Sequence, residues 1–202
     1  MNNIIKYTDF LSYYLYQPLA FFILRFIKKS NITPNQITLV SLIFGILAAI
    51  CLYLNLKILS FFMLQISFIL DCLDGQLARL KSLSSKLGMW LDNLSDRIVE
   101  NSMILTFILI NNNFCVWGAL LIFLNMFYSY MSDLEIYVGN KYRKLSTFEK
   151  VMFSPIYLLN RSFVILILSI AIFYFKIIFL LEFLYFYGII FKIYRKIYGE
   201  IR

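Results

Sequence analysis

Apolar residues in this chain run in successive stretches of about twenty, the length an α-helix needs to cross roughly 30 Å of hydrocarbon. Six such stretches are legible, near residues 37–55, 57–80, 86–110, 114–137, 155–175 and 177–194, with only short polar breaks between them. Closed β-barrels aside, backbone in lipid must satisfy its own hydrogen bonds within a helix, so the pattern predicts an all-α integral membrane bundle. Composition agrees. The chain is 61% hydrophobic with a mean hydropathy of +0.78, and its 15% of charged residues cannot clothe a water-facing surface. No short apolar run ends in a small-residue cleavage site, so no removable signal peptide is expected.

Residues 7–29 interleave Tyr, Phe, Leu and Ile with polar positions and end in Arg25, Lys28 and Lys29. This reads as an amphipathic helix lying at the interface, within a segment 1–36 that precedes a six-helix bundle over 37–202. Pro18 should break it, leaving a short piece and then a helix that opens near the proline. The net charge of +8 is accounted for by topology. Of 19 Lys and Arg, only Lys57 and Lys176 fall at the breaks Asn55–Lys57, Asn111–Asn113 and Lys176. Arg79, Lys81, Lys86, Lys141, Arg143, Lys144, Lys150, Lys192, Arg195, Lys196 and Arg202 fall on the other side, with the basic N-terminal residues. The positive-inside rule then places both termini in the cytoplasm, and nucleic acid is not an expected partner. With no repeat, low-complexity tract or linker, residues 1–202 read as one domain. Cys51, Cys72 and Cys115 have no metal-ligand spacing, and a chain without histidine is a poor candidate for zinc.

Four of the six aspartates crowd between positions 71 and 96. Asp71 and Asp74 are three apart, hence on one helix face; Gly88, Asp92 and Asp96 recur every fourth residue on a face of the next helix. A short link makes the two helices antiparallel, so the acids meet at the cytoplasmic ends of the second and third stretches. A single Asp near a membrane-helix centre costs about 2.5–3.5 kcal/mol, and four together repel one another. Something positive must sit among them. Hard oxygen donors suit Mg²⁺, Mn²⁺ or Ca²⁺, and two such ions about 4 Å apart clamp phosphoryl transfers elsewhere. Gly75, Ala78 and Gly88 leave space beside the acids, or else let helices pack closely. Arg79 follows on the same helix, where it either forks onto a diphosphate or serves as a flank charge. Pro34-Asn35 reads as a helix start with a capping residue.

The arrangement Asp71-x-x-Asp74-Gly75-x-x-Ala78-Arg79, eight residues, Gly88-x-x-x-Asp92-x-x-x-Asp96 resembles the signature of the CDP-alcohol phosphotransferase family at every defined position. The resemblance extends to the interfacial helix, the six spans and a Pro34-Asn35-x-x-Thr38 element. It implies that Asp71, Asp74, Asp92 and Asp96 hold two divalent ions, Mg²⁺ or Mn²⁺, with Ca²⁺ as an inhibitor. Asp96 would also be the general base, taking the proton from an acceptor hydroxyl that attacks the β-phosphorus of a CDP-alcohol and expels CMP. Gly75, Ala78 and Gly88 would make room for cytidine and ribose, Arg79 would lie near the diphosphate, and Asn35 and Thr38 would reach the nucleotide.

The donor implied is a CDP-alcohol such as CDP-diacylglycerol, the acceptor a small alcohol such as inositol phosphate or glycerol phosphate, and the product a phospholipid headgroup linkage. A soluble CDP-polyol donor, CDP-inositol for example, is the alternative. Similarity around Tyr16–Leu19, Thr33–Gly45 and Ile69–Lys81 points towards the inositol phosphate branch. Lys141, Arg143 and Arg161 are candidates for the acceptor phosphate; Arg161 has a second reading as a flank charge that snorkels to water. Arg97 points off the acid face, towards Glu100 or Asp133. A homodimer in a prokaryotic-type inner or plasma membrane, its site facing the cytoplasm, is likewise implied. An ion or proton transporter, the rival class, predicts acids strung through the membrane depth rather than gathered at one end.

Overall fold

The computed structural model describes residues 9–138 and 159–198, and every regular element among them is helical. The order is α1 (Gln17–Ile27), α2 (Pro34–Tyr53), α3 (Lys57–Lys81), α4 (Lys86–Ile110), α5 (Cys115–Val138), α6 (Arg161–Ala171) and α7 (Phe179–Tyr198). Short 3₁₀ turns at Asn112–Phe114 and Phe175–Ile178 join α4 to α5 and α6 to α7. The expected breaks at Asn111–Asn113 and Lys176 fall at these turns.

Local chemistry sets the helix ends. Thr33 is the N-cap of α2, with Pro34 opening the first turn and the Gln36 side-chain oxygen accepting from the Thr33 N–H at 2.9 Å. The cap is thus one residue before the Pro34-Asn35 pair, and the Asn35 side chain is left for other contacts. Ser82 closes α3 in the left-handed region, and the Ser85 hydroxyl caps α4 by accepting from Gly88 N–H at 3.0 Å. α1 opens at Gln17 with Pro18 in its first turn, as expected of a helix that starts near the proline. The short piece before it is a π turn at Ser12–Tyr16 that runs into α1 without a gap, so helix is continuous from Phe10 to Ile27.

α2 is the centre of the packing, with α3 and α4 both laid against it. Its buried face is made of small groups: Thr38, Ser41, Gly45, Ala48 and Ala49. Ser41 and Ser67 each donate to the other's backbone carbonyl, at 2.8 and 2.9 Å, and Ser60 donates to Ala48 O at 2.8 Å. These bonds hold α2 and α3 together where lipid supplies no hydrophobic drive for association. On the α4 side, a Cβ placed on Gly45 would lie 2.3 Å from Val99 Cγ2. Only a glycine lets these two backbones come so close. α3 and α4 meanwhile stay apart from each other as backbones, so a gap opens between their acidic ends.

Among the described residues, four stretches are long and apolar enough to cross a membrane: Pro34–Tyr53, Lys57–Lys81, Asn112–Leu134 and Phe175–Ile197. α4 has the length of the expected third span, but Lys86, Asp92, Asp96, Arg97 and Glu100 lower its apolar character. α6 has 11 residues, about 17 Å of helix, and the first part of the expected fifth span lies outside the described residues. Large apolar side chains such as Ile43, Phe62, Leu109, Val116 and Phe183 point outward, as a lipid-facing surface requires.

Gly45→Val should destabilise the bundle by about 1–3 kcal/mol through overpacking against α4. Thermal unfolding in detergent checks this, and adding Val99→Ala to the same chain should recover part of the loss.

Candidate active site

The gap between α3 and α4 is where the acids meet. Asp71 and Asp74 project from the last turns of α3, and Asp92 and Asp96 from the first half of α4. Carboxylate oxygens of Asp71, Asp74 and Asp92 all lie within 4.8 Å of one another. Asp96 is one turn farther along α4 and buried; it joins the group through Arg161, whose Nη1 lies 2.7 Å from Asp96 Oδ1 and also contacts Asp71 Oδ2. Thr38 reaches across from α2 and donates to Asp74 Oδ2 at 2.5 Å.

Two cavities of about 360 Å³ each flank a shared wall of Asp74, Gly75, Arg79 and Asp92. The first is completed by Pro34, Asn35, Thr38, Ala78, Ser84, Ser85 and Gly88 among others, and gathers every small residue that the sequence singled out. A Cβ on Gly88 would stand 3.2 Å from Asn35 Oδ1 and 3.1 Å from Ser85 Oγ, and one on Gly75 would stand 3.3 Å from Arg79 Nη1. Side chains at these positions would therefore grow into the cavity or push its polar rim aside. The second cavity contains Asp71, Asp96 and Arg161, with Asp9, Ser12, Gln17, Asn160 and Ser162 on its far side.

Residues 31–183 match the sequence model of the CDP-alcohol phosphatidyltransferase family. The chain belongs to that family. Relatives of this chain include a bifunctional IPC transferase and DIPP synthase of Thermococcus kodakarensis, 39% identical over 45% of this chain and 21% of the relative. Another is an archaetidylinositol phosphate synthase of Pyrococcus horikoshii, 39% identical over 37% of this chain and 39% of the relative. Each alignment spans less than half of the relative's own length. The solved phosphatidylinositol phosphate synthase PgsA1 of Mycobacterium tuberculosis, with CDP-DAG bound, shares the fold. Its TM-score is 0.61 over 92% of this chain and 94% of that one, at 16% identity.

Within this phosphatidyltransferase fold the donor set suits a hard divalent cation, since every candidate ligand is a carboxylate oxygen. Asp92 Oδ1 is buried and has no hydrogen-bond partner among the described residues, an acceptor that a bound cation would satisfy. Arg161 does not snorkel to water. Its side chain is only 16% exposed, lies over the Phe68 ring at 5.3 Å from guanidinium carbon to centroid, and faces the acids. Lys141 and Arg143 lie outside the described residues.

Sequence reasoning missed the far wall of the second cavity. Asp9 is buried and accepts from Ser12 N–H at 2.9 Å and from the Ser162 hydroxyl, tying the N-terminal segment to α6. Gln76 donates to Gln17 O at 2.8 Å, and Tyr16 donates to Gln65 at 2.7 Å, which in turn donates to Ser169 at 2.6 Å. Nothing local in the sequence marks these long-range pairs. Arg97, one of the two partners foreseen for it, pairs with Glu100 at 3.0 Å, and Asn125 of α5 hydrogen-bonds both.

Thr38→Val keeps the shape and removes the donor to buried Asp74, so it should cost about 1–3 kcal/mol in unfolding free energy. Thr38→Ser should stay near the parent protein in the same denaturation measurement.

Proposed function

We propose that this chain transfers a phosphatidyl-type group from a CDP-linked lipid to a hydroxyl of a small phosphorylated polyol, releasing CMP. The observation that carries the proposal is the meeting of Asp71, Asp74 and Asp92 at a wall shared by two cavities of similar size, one edged by small residues and one polar. Family membership supplies the reaction class, and the names of the relatives favour inositol phosphate as acceptor and a CDP-diacylglycerol-like donor.

The cavity edged by Gly75, Ala78 and Gly88 has room for cytidine and ribose, with Asn35 and Thr38 at its rim and Arg79 beside the diphosphate. Asp71, Asp74, Asp92 and Asp96 would hold two Mg²⁺ or Mn²⁺ ions, which when bound neutralise charge building on the pyrophosphate. The acceptor enters the second cavity, where Arg161 meets its phosphate; Lys141 and Arg143, outside the described residues, are further candidates for that phosphate. Asp96 takes the hydroxyl proton as the acceptor oxygen bonds to the β-phosphorus. The bond from that phosphorus to the bridging oxygen breaks, and CMP departs with the electron pair. The chain's contribution is positioning and fixed charge, with no covalent enzyme intermediate.

The remaining architecture follows. α4 would be a further crossing and α6 would lie within the expected fifth span, for six in all, with the N-terminal helix along the interface. Its outward residues Phe10, Tyr14, Leu15, Leu19, Phe22 and Phe26 suit a lipid-facing side. The site and both termini face the cytoplasm, residues 1–202 act as one domain, Ca²⁺ inhibits, and the working unit is a homodimer.

Purified protein with Mg²⁺ or Mn²⁺ should release CMP from CDP-diacylglycerol with inositol phosphate, and more slowly or not at all with glycerol phosphate, inositol or serine. Inertness with every CDP-linked lipid, but turnover of CDP-inositol, would shift the donor to the soluble class. Asp96→Asn should abolish CMP release and leave donor binding near the parent value; equal loss of both would remove its role as base. Gly75→Val and Ala78→Leu should weaken cytidine nucleotide binding tenfold or more, by about 1.4 kcal/mol, with melting temperature unchanged.

A further inference from the structure

The Arg161 guanidinium is placed where metal ligands are also needed. One nitrogen, Nη1, contacts Asp71 Oδ2 and Asp96 Oδ1, two of the four acids that the proposed reaction requires for cations. A carboxylate oxygen ion-paired with a guanidinium has less capacity for a divalent ion, and two cations crowded on the same acids repel each other. The fit of Arg161 to this position is incomplete. Its Nε is buried and has no hydrogen-bond partner among the described residues, and the aromatic face of Phe68 beneath it offers a seat but no acceptor oxygen. Arg161 shares a cavity with Ser12, Gln17, Asn160 and Ser162, whose side-chain oxygens are acceptors that a guanidinium can use.

We propose that Arg161 is an exchangeable counter-cation of the acid cluster, released from Asp71 and Asp96 when divalent ions take those carboxylates. The inference rests on the metal reading of the site given above. It adds a consequence for the order of binding: the metal-loaded protein turns a freed guanidinium towards the second cavity, so loading favours an anionic acceptor there. Linkage makes the effect reciprocal, and an anion that engages Arg161 tightens metal binding by the same factor.

Mn²⁺ titration followed by electron paramagnetic resonance tests this on the full chain in detergent. Arg161→Gln removes the competitor and should bind Mn²⁺ about tenfold more tightly than the parent. Arg161→Lys keeps the charge and should stay within about threefold of the parent. Asp92→Asn should bind more weakly than the parent. Unchanged or weaker binding by Arg161→Gln, with Asp92→Asn still weakened, overturns the exchange and leaves the metal site standing. Parent-like binding by Asp92→Asn removes the metal site and the exchange with it. A second measurement needs no variant: Mn²⁺ should speed modification of Arg161 by a dicarbonyl reagent, read by mass spectrometry, and a rate that Mn²⁺ slows or leaves unchanged counts against release.

Discussion

Four carboxylates confined to the space between α3 and α4 repel one another, and the rest of this structure is arranged around the positive charge and hydrogen bonds that offset that repulsion. Arg161 comes in from α6 to contact Asp71 and Asp96, Thr38 comes in from α2 to hold Asp74, and Asp92 keeps a buried oxygen unsatisfied by any described side chain. In a low-dielectric interior an unpaired carboxylate costs far more than in water, so the cluster needs protons, the Arg161 guanidinium or bound cations to offset its charge. A divalent cation of the kind proposed above would do so at the open oxygen of Asp92.

α2 makes this geometry possible. Its small residues, with Gly45 against Val99 and Ser41 against Ser67, draw α3 and α4 close to itself while leaving them apart from each other. A bulkier α2 would push the two acidic ends outward and widen the gap. The same small residues that permit tight packing thus set the width of the site. The shared wall of Asp74, Gly75, Arg79 and Asp92 then divides the gap into two compartments, an arrangement suited to holding a donor and an acceptor on either side of one reacting phosphorus.

Much of this was legible in the sequence because the information is local. Helical spacing alone puts Asp71 with Asp74 and Asp92 with Asp96, and apolar run length places α2, α3, α5 and α7 to within a few residues. The grouping of Asn35, Thr38, Ala78 and Gly88 around one cavity followed from the family signature. Other features depended on tertiary contacts that no spacing encodes. The burial of Arg161 among the acids needs α6 to lie against α3, and the Asp9–Ser162 contact joins residues 153 positions apart. Pro18 marks the opening of α1, whereas the π turn that joins α1 to the piece before it has no signal in the spacing. The apolar residues of α4 read as a span over 86–110, yet its polar content keeps it out of the stretches apolar enough to cross a membrane; Asp92 and Asp96 are turned towards the site, and Arg97 and Glu100 towards Asn125.

The account stands or falls on whether cations bind between α3 and α4. Crystals or particles of the full chain grown with Mn²⁺ can be read by anomalous scattering, or as added density, at the acid cluster. The account predicts two peaks a few ångströms apart, ligated by Asp71, Asp74, Asp92 and Asp96. A map at adequate Mn²⁺ concentration with no peak among these four side chains, or with peaks elsewhere alone, would contradict it.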